Sequence, residues 1–363
     1  MVLYRSFMAY DFDITKLPEF DNHELVSCIQ DEESSLKGFV AIHNTNLGPA
    51  TGGTRMYEYP LFIDAVRDAL ALSRAMTYKC ALAGLKFGGG KAVIIGNPKK
   101  KTKQLLRAYG QKINYFGGMF TTGTDSGISD KDATVMARES KYILGQKNGV
   151  EKKSTSDMAA LGTYIAIRIC AKELFGTPDL NGKTIAIKGL GKLGGELARL
   201  LIKDGAYVTA ADINKDVVMR MKKMHPDIRF VSHTEIHKQL CDIYAPCAMG
   251  NDITLQSLGK IKTKAIAGGA NNQLSSDEVG YKLHAMGILY APDYVVNAGG
   301  LINIVDELEN DGYQVARVLS RIEHIQDTLA RIFATSKKKN ISTHLIADQM
   351  AEHIFDKVSH DKT

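Results

Sequence analysis

Two lysines close to a run of glycines suggest acid–base chemistry. The 363-residue sequence contains "MTYKCALAGLKFGGGKAVIIGNP", in which Lys79 and Lys91 lie twelve positions apart. A lysine among apolar residues and glycines can be desolvated, which lowers the pKa of an ammonium group and lets it act as a base near neutral pH. One lysine would then bind a carboxylate while the other exchanges a proton. From the residues alone, the alternative is that both are surface lysines.

The glycines before Lys91 do not form a phosphate-binding P-loop. The segment lacks the upstream glycine of Gly-x-x-x-x-Gly-Lys, and Ala92 replaces the Ser or Thr that would hold magnesium. It also precedes a predicted strand, whereas a P-loop precedes a helix. We expect instead that Gly88, Gly89 and Gly90 bring the backbone close to a small substrate and leave room for Lys91.

A second motif predicts a dinucleotide site. Gly189, Gly191 and Gly194 in "IKGLGKLG" satisfy Gly-x-Gly-x-x-Gly between a predicted strand and helix, and a second strand ends at Asp212. The glycines would permit the turn, the approach of a pyrophosphate and close helix packing, and Lys192 adds positive charge at the helix N-terminus. Asp212 would accept hydrogen bonds from an adenine ribose and disfavour a 2′-phosphate, which predicts NAD. The alternative is an ordinary βαβ turn.

Around these motifs the pattern alternates strands and helices. We predict a strand over residues 36–44, a helix over 62–84, a buried strand in "GKAVIIGNP" and a helix in "TKQLLRAYGQKINYF". The polar segment 145–157 predicts a domain boundary, and the helix "AALGTYIAIRICAKELFG" follows it.

Composition excludes several classes of function. The net charge is +6, but the lysine runs at 97–103 and 336–340 carry no interleaved aromatic residues, so nucleic-acid binding is not expected. The five cysteines and ten histidines show no metal-binding spacing and no disulfide framework. Without a signal peptide or an apolar run long enough for a membrane helix, we expect a cytoplasmic protein.

Six segments in order resemble one family: "GPATGGTRM", "MTYKCALAGLKFGGGKAVIIGNP", "IKGLGKLG", "CDIYAPCAMG", "IAGGANNQL" and "YAPDYVVNAGGLINIVDEL". They are similar to the Glu/Leu/Phe/Val dehydrogenase family, and within it to the shorter leucine, valine and phenylalanine dehydrogenases, leucine dehydrogenase most of all. The resemblance extends from about Val26 to about Ile354.

The resemblance implies an α/β fold in which an N-terminal α/β substrate domain precedes a doubly wound, Rossmann-type NAD-binding domain. Residues 1–145 would form the substrate, catalytic and oligomerisation domain, 146–335 the Rossmann domain, and 336–363 a C-terminal helix returning to the first domain. The active site would lie in the cleft between the domains. The implied reaction is reversible, NAD-dependent oxidative deamination of an L-amino acid to a 2-oxo acid and ammonia, in a homo-oligomer that is an octamer or a dimer.

The resemblance also implies residue roles. Lys79 would bind the substrate carboxylate, Lys91 would activate water for attack on the iminium carbon, and Asp125 would exchange protons with the amino group. Taken alone, Asp125 could equally be a turn aspartate. The other implied substrate positions are Gly52, Gly53, Asn272, Thr51, Gly123, Leu301 and Ile304. The implied cofactor positions are Gly189, Gly191, Lys192, Leu193, Gly194, Asp212, Cys247, Ala248 and Asn271. No metal is implied.

The sequence departs from the family pattern in two places. Ala159 stands where a threonine usually helps to bind the nicotinamide amide, and Asp157 replaces a proline. In the side-chain pocket, Thr51 and Gly123 are smaller or more polar than the residues common in leucine dehydrogenases, whereas Leu301 and Ile304 are larger. One methylene changes discrimination by only about 1–3 kcal/mol, so the exact apolar substrate stays open. No extra basic residue offers to bind a second carboxylate, which disfavours glutamate.

We therefore expect an enzyme acting on leucine or another branched-chain amino acid. An aromatic amino-acid dehydrogenase and a catalytically impaired NAD-binding relative are the alternatives. A hydroxy-acid dehydrogenase fits less well, because no His–Arg catalytic pair is evident.

Overall fold

The structure is a computed structural model that describes residues 13–145 and 152–360. The N-terminal residues 1–12 and residues 146–151, in the predicted boundary segment, lie outside the described residues. The chain forms two compact units. Unit 1 comprises Met1–Thr77 and Gly88–Ile143, and unit 2 comprises Tyr78–Phe87 and Leu144–Thr363. The domain bounds expected from the sequence stay predictions.

Unit 1 is built on a mixed five-stranded sheet. Its strands and helices are β1 (Leu25–Asp31), β2 (Leu36–Asn44), β3 (Ala50–Tyr57), α1 (Phe62–Leu82, whose last residues belong to unit 2), β4 (Gly88–Ile95), α2 (Lys103–Ile113), β5 (Phe120–Thr124) and α3 (Asp130–Met136). The strand order is β1-β2-β4-β3-β5. Strand β3 pairs in parallel with both β4 and β5, while β2 is antiparallel to β1 and β4.

The glycine-rich segment before Lys91 is itself part of a central strand. All residues of β4 except the last are buried, as expected for a strand covered on both faces. A hypothetical Cβ on Gly88 would lie 2.1 Å from the Asn44 carbonyl oxygen, and one on Gly89 would lie 2.1 Å from the Thr77 nitrogen. A Cβ on Gly90 would lie 2.7 Å from the Phe120 ring. The expectation that these glycines admit a substrate is therefore wrong, because the protein's own backbone fills the space at Gly88 and Gly89 and a side chain fills it at Gly90.

Unit 2 contains a parallel six-stranded sheet surrounded by helices. In chain order its elements are α4 (Thr155–Phe175), β6 (Thr184–Lys188), α5 (Lys192–Lys203), β7 (Tyr207–Ala211), α6 (Lys215–Met224), β8 (Arg229–Phe230), β9 (Leu240–Pro246), α7 (Leu255–Leu258), β10 (Lys262–Ile266), α8 (Asp277–Ala285), β11 (Leu289–Tyr290), α9 (Asp293–Val296), α10 (Gly299–Val305), α11 (Val315–Glu323), α12 (Ile325–Lys339) and α13 (Thr343–His360).

The strand order β11-β10-β9-β6-β7-β8 identifies the ligand-binding edge of this sheet. From β6 the chain continues outward to β7 and β8, and from β9 it continues outward on the other side to β10 and β11. In such a doubly wound sheet, ligands bind at the carboxyl ends of the two central strands. The glycine turn directly follows β6, so it lies at that switch point. The predicted α/β fold class with a Rossmann-type domain is confirmed.

Local sequence explains why the elements around the turn form as they do. Helix α5 buries Gly194, Leu197, Ala198 and Leu201, a spacing that places one apolar stripe against the sheet. Helix α4 begins at the N-cap Ser154, whose side chain accepts a hydrogen bond from the Asp157 amide. It ends at Gly176, which adopts the left-handed conformation. The helices and strands predicted from the sequence pattern are present, with ends shifted by a few residues.

Candidate active site

An ion pair between a buried lysine and a half-buried aspartate in unit 1 joins two of the predicted catalytic residues. Lys91 lies in β4, and its side chain is only 7% exposed. Asp125 directly follows β5, on the far side of β3 from β4. The Lys91 Nζ atom lies 2.6 Å from Asp125 Oδ2. The parallel arrangement of the three strands brings these two residues together across 34 positions of sequence.

Asp125 is also bound by an arginine that the sequence analysis did not assign. The Nε of Arg55, from β3, lies 3.3 Å from the same Asp125 Oδ2. The residue stands in the quoted segment "GPATGGTRM", so the signal was present, but only the strand pairing shows what the side chain contacts. Asp125 therefore faces two cations, and it is not an isolated turn aspartate.

The two cations control the charge of Asp125. Burial alone would raise the pKa of this carboxyl, but the charges of Lys91 and Arg55, with a hydrogen bond from Lys91, hold it well below its ordinary value. Asp125 is thus a carboxylate throughout the neutral range. Such a carboxylate can accept a proton from a substrate amino group.

The two glycines of β3 predicted to lie beside the substrate are constrained in different ways. A Cβ on Gly52 would lie 1.8 Å from the Gly90 carbonyl oxygen, so this glycine allows β3 to approach β4. A Cβ on Gly53 would lie 2.9 Å from the Asp125 Cβ and 3.4 Å from the Lys91 Nζ. Gly53 therefore keeps the space directly over the ion pair free of side chain.

The side-chain pocket residues predicted in unit 1 are buried. Thr51 lies in β3, and Gly123 lies in β5, where it pairs with Gly53. In unit 2, Leu301 and Ile304 are half-buried in α10. The assignment of these four positions to one pocket stays a prediction.

The glycine turn of unit 2 has the geometry that its motif requires. Gly189 has φ +97°, a conformation that side chains disfavour, and its Cβ would also meet Ala248 at 2.8 Å. A Cβ on Gly194 would lie 1.9 Å from the Gly189 carbonyl oxygen, so α5 packs directly on the turn. By contrast, nothing lies within 4 Å of a Cβ built on Gly191. Gly191 therefore faces open space at the N-terminus of α5.

Asp212 fixes the conformation of this turn. Its Oδ2 accepts a hydrogen bond of 2.6 Å from the Leu190 amide, and its Oδ1 accepts one of 2.7 Å from the Asn214 amide. Each carboxylate oxygen keeps a second lone pair that can accept from a ligand hydroxyl. The Asp212 carboxylate thereby connects the segment that follows β6 with the segment that follows β7.

A pocket of about 310 Å³ adjoins Asp212. Its lining includes Gly189, Ile213, Ala248 and Met249, and it is largely apolar. Among the residues that line it, the one lysine is Lys188, and its Nζ is paired with Asp252. His237 and the hydroxyl of Tyr244 also bind Asp252, at 3.1 and 2.6 Å. This lysine is therefore engaged within the unit.

Lys79, in the segment of α1 that belongs to unit 2, contacts one of two neighbouring asparagines. Its Nζ lies 3.2 Å from the Asn271 Oδ1, which also accepts a hydrogen bond of 2.8 Å from the Asn297 Nδ2. Asn272 is exposed and has φ +50°. Sequence reasoning missed Asn297, although it stands in the quoted segment "YVVNAGG". The separate roles predicted for Asn271 and Asn272 stay predictions.

The remaining predicted cofactor residues surround the turn. Lys192 and Leu193 are the first two residues of α5. A Cβ built on Gly269 would lie 2.5 Å from the Leu193 side chain, so Leu193 packs against the backbone at Gly269. The Cys247 amide donates to the Lys188 carbonyl at 2.7 Å, and burial raises the pKa of the Cys247 thiol to about 12. The thiol is therefore neutral. Ala159 is buried in α4.

Other kinds of site are not supported by the described part of the chain. Residues 13–145 and 152–360 contain no cluster of three or more His, Cys, Asp or Glu side chains that could hold a metal ion. No helix in these ranges is both long and apolar enough to span a membrane.

Two family models match most of the sequence. Residues 24–148 match the model described as Glu/Leu/Phe/Val dehydrogenase, dimerisation domain. Residues 210–361 match the model described as Glutamate/Leucine/Phenylalanine/Valine dehydrogenase.

Individual relatives cover nearly the whole chain. Leucine dehydrogenase of Bacillus subtilis is 42% identical over 349 residues, which are 96% of this chain and 95% of that protein. Phenylalanine dehydrogenase of Thermoactinomyces intermedius is 42% identical over 341 residues, 93% of each chain. The crystal structure of L-tryptophan dehydrogenase from Nostoc punctiforme superposes with a TM-score of 0.81 at 35% identity, covering 93% of this chain and 97% of that one.

Proposed function

Because this chain belongs to the Glu/Leu/Phe/Val dehydrogenase family of amino-acid dehydrogenases, we propose that it catalyses the reversible oxidative deamination of an apolar L-amino acid, with leucine or another branched-chain amino acid preferred. The products are the 2-oxo acid and ammonia. The observation that carries the proposal is the ion pair between Lys91 Nζ and Asp125 Oδ2, 2.6 Å apart. A binding protein without catalysis has no need of this pair.

The roles of the two residues follow from their charges. The Asp125 carboxylate takes a proton from the substrate amino group as the carbon–nitrogen double bond forms. Once Lys91 has released its ammonium proton to bulk water, the resulting amine removes a proton from the water that attacks the iminium carbon. Both proton transfers are general acid–base steps, which contribute typically 10²- to 10⁴-fold each. The pair can also pass a proton between its members without changing its total charge.

In this proposal Lys79 holds the substrate carboxylate. Its ammonium group donates to the Asn271 Oδ1 at 3.2 Å, and an ammonium group carries three donors in all. A charge-assisted hydrogen bond of this kind is stronger than a neutral one. Asn297 holds Asn271 in place from the other side.

The turn of unit 2 fits NAD. The open space at Gly191 suits a pyrophosphate, and the first backbone amides of a helix have no partner within the helix itself. Asp212 has lone pairs for the ribose hydroxyls, and its negative charge would repel a 2′-phosphate. The pocket beside it contains one lysine, which Asp252 engages. When bound, NAD accepts the hydride of the substrate α-carbon. We therefore propose NAD over NADP, with Lys192 adding positive charge and Cys247, Ala248 and Asn271 near the nicotinamide half.

The cellular setting is part of the same proposal. The family model matched by residues 24–148 carries the description "dimerisation domain", which supports a homo-oligomer. We propose a cytoplasmic homo-oligomer, and size-exclusion chromatography with light scattering measures its mass.

A panel of amino acids tests the function. Purified protein would be mixed with NAD and L-leucine, L-isoleucine, L-valine, L-phenylalanine, L-tryptophan or L-glutamate at alkaline pH, and NADH formation would be followed. We expect a branched-chain amino acid to be the best substrate. A preference for phenylalanine or tryptophan would favour the aromatic alternative, in line with the aromatic relatives. No turnover while NADH still binds would overturn the proposal.

A further inference from the structure

Arg55 has no assigned part in the proposed reaction, yet it contacts the catalytic pair. Its Nε lies 3.3 Å from Asp125 Oδ2, the same oxygen that Lys91 Nζ contacts at 2.6 Å. The arginine and aspartate side chains are 23% and 20% exposed. Two cationic side chains, one from β3 and one from β4, thus contact the same carboxylate oxygen of the residue that follows β5.

Arg55 is itself held in place from α1. Its Nη1 lies 3.0 Å from both carboxylate oxygens of Asp68, and the Tyr59 hydroxyl donates to Asp68 Oδ2 at 2.5 Å. A planar guanidinium fixed at one end presents its other N–H groups in a defined direction. The orientation of Arg55 Nε toward Asp125 is therefore set by Asp68.

We propose that Arg55 is a positioning residue for catalysis: anchored by Asp68, it fixes the Asp125 carboxylate beside Lys91 and sets the pH at which the pair gains a proton. The inference rests on the proposed function, since it needs Lys91 and Asp125 to exchange protons with the substrate. Arg55 acts through Asp125, whose carboxylate it contacts.

The sign of the electrostatic effect follows from the groups that face the pair. Among the described residues, Asp125 faces Lys91 from β4 and Arg55 from β3, and Arg55 is backed by Asp68 from α1 and by Tyr59. Interacting groups of this kind titrate as a pair. Removing the positive Arg55 favours the protonated forms of the pair. Removing the negative charge of Asp68 favours the deprotonated forms.

The test is the pH dependence of kcat/KM for deamination in charge variants. We expect Arg55→Met to move the acid limb to higher pH by about one to three units, the size of shift that one neighbouring charge produces. Asp68→Asn should move the limb the other way, by less, because Arg55 lies between. Arg55→Lys should keep the limb near the wild-type position with a lower kcat, because lysine cannot bridge both carboxylates.

A matched control separates this effect from loss of packing. Arg74 forms an ion pair with Asp21 at 2.7 Å elsewhere in unit 1, so Arg74→Met should leave the acid limb unchanged. The inference would be overturned if the acid limb of the pH profile stayed fixed in both Arg55→Met and Asp68→Asn. It would also be overturned if the limb moved in the same direction in both variants. If Arg55→Met fails to fold, as judged by circular dichroism, Arg55→Lys and Asp68→Asn decide. An inactive wild-type enzyme would instead overturn the proposed function itself.

Discussion

The two functional regions of this molecule depend on opposite properties of their residues. The Lys91–Asp125 region of unit 1 works through paired side-chain charges brought together by three strands. The Gly189–Gly194 turn of unit 2 works through missing side chains, which expose backbone amides and leave space. Removing a side chain should therefore disable the first region, while adding even a methyl group should weaken ligand binding by the second.

The largest expected effect is at Lys91. Lys91→Ala should lower kcat by about 10²- to 10⁴-fold, because the water loses its general base, while binding of NADH, followed by fluorescence, is retained. Lys101→Ala is a suitable control, since Lys101 forms a similar pair with Asp132 at 2.6 Å in the same unit. Wild-type turnover in Lys91→Ala would refute the role of the pair.

Lys79 should act on binding more than on turnover. Lys79→Ala should raise the KM for the amino acid by about 10- to 100-fold, the value of a charge-assisted hydrogen bond of about 1.5–3 kcal/mol. The exposed Lys86, a few residues further on in the same segment of unit 2, provides the control. An unchanged KM in steady-state kinetics would count against carboxylate binding by Lys79.

Two glycines of the turn allow the effect of lost ligand space to be distinguished from the effect of disturbed packing. Gly191→Ala should leave the melting temperature unchanged but weaken NADH binding by about tenfold, or about 1.4 kcal/mol, because the new methyl group meets only the ligand. Gly194→Ala should weaken binding and also destabilise the fold by about 1–3 kcal/mol, because its Cβ would meet Gly189 at 1.9 Å. Calorimetric titration and thermal melts measure both effects. Equal melting temperatures for the two variants would contradict the packing argument.

The smallest expected effect is on cofactor choice. Asp212→Ala should reduce the preference for NAD over NADP by about fivefold, roughly one hydrogen bond's contribution of about 1 kcal/mol, because the ribose hydroxyls lose an acceptor and a 2′-phosphate loses a repelling charge. Asp216→Ala, in the first turn of α6, is the control. An unaltered ratio of kcat/KM values would remove Asp212 from the ribose site.

The sequence predicts the turn better than the ion-pair region, for a physical reason. The turn is local: its glycines, the strand before it and Asp212 lie within one βαβ unit, so spacing alone predicts their positions. The positive φ of Gly189 and the close packing of Gly194 agree with the reasons given for them.

The ion-pair region is assembled by strand pairing over long sequence distances, which no local pattern encodes. The residues alone indicate Lys91 and the resemblance adds Asp125, but neither assigns a role to Arg55 or Asp68. The reason predicted for the glycines before Lys91 is wrong, because Gly88, Gly89 and Gly90 are crowded in turn by residues of β2, α1 and β5. Sequence patterns predict which residues could be reactive, whereas pairing and packing decide what surrounds them.

The measurement that tests the central claim most directly is the oxidation of NADH in the reductive direction, with 4-methyl-2-oxopentanoate and ammonia added separately and together. The account predicts that wild-type protein oxidises NADH only when both are present, and that Lys91→Ala binds NADH but does not oxidise it. Oxidation of NADH without ammonia would indicate a hydroxy-acid dehydrogenase, and unimpaired oxidation by Lys91→Ala would contradict the assignment of the Lys91–Asp125 pair.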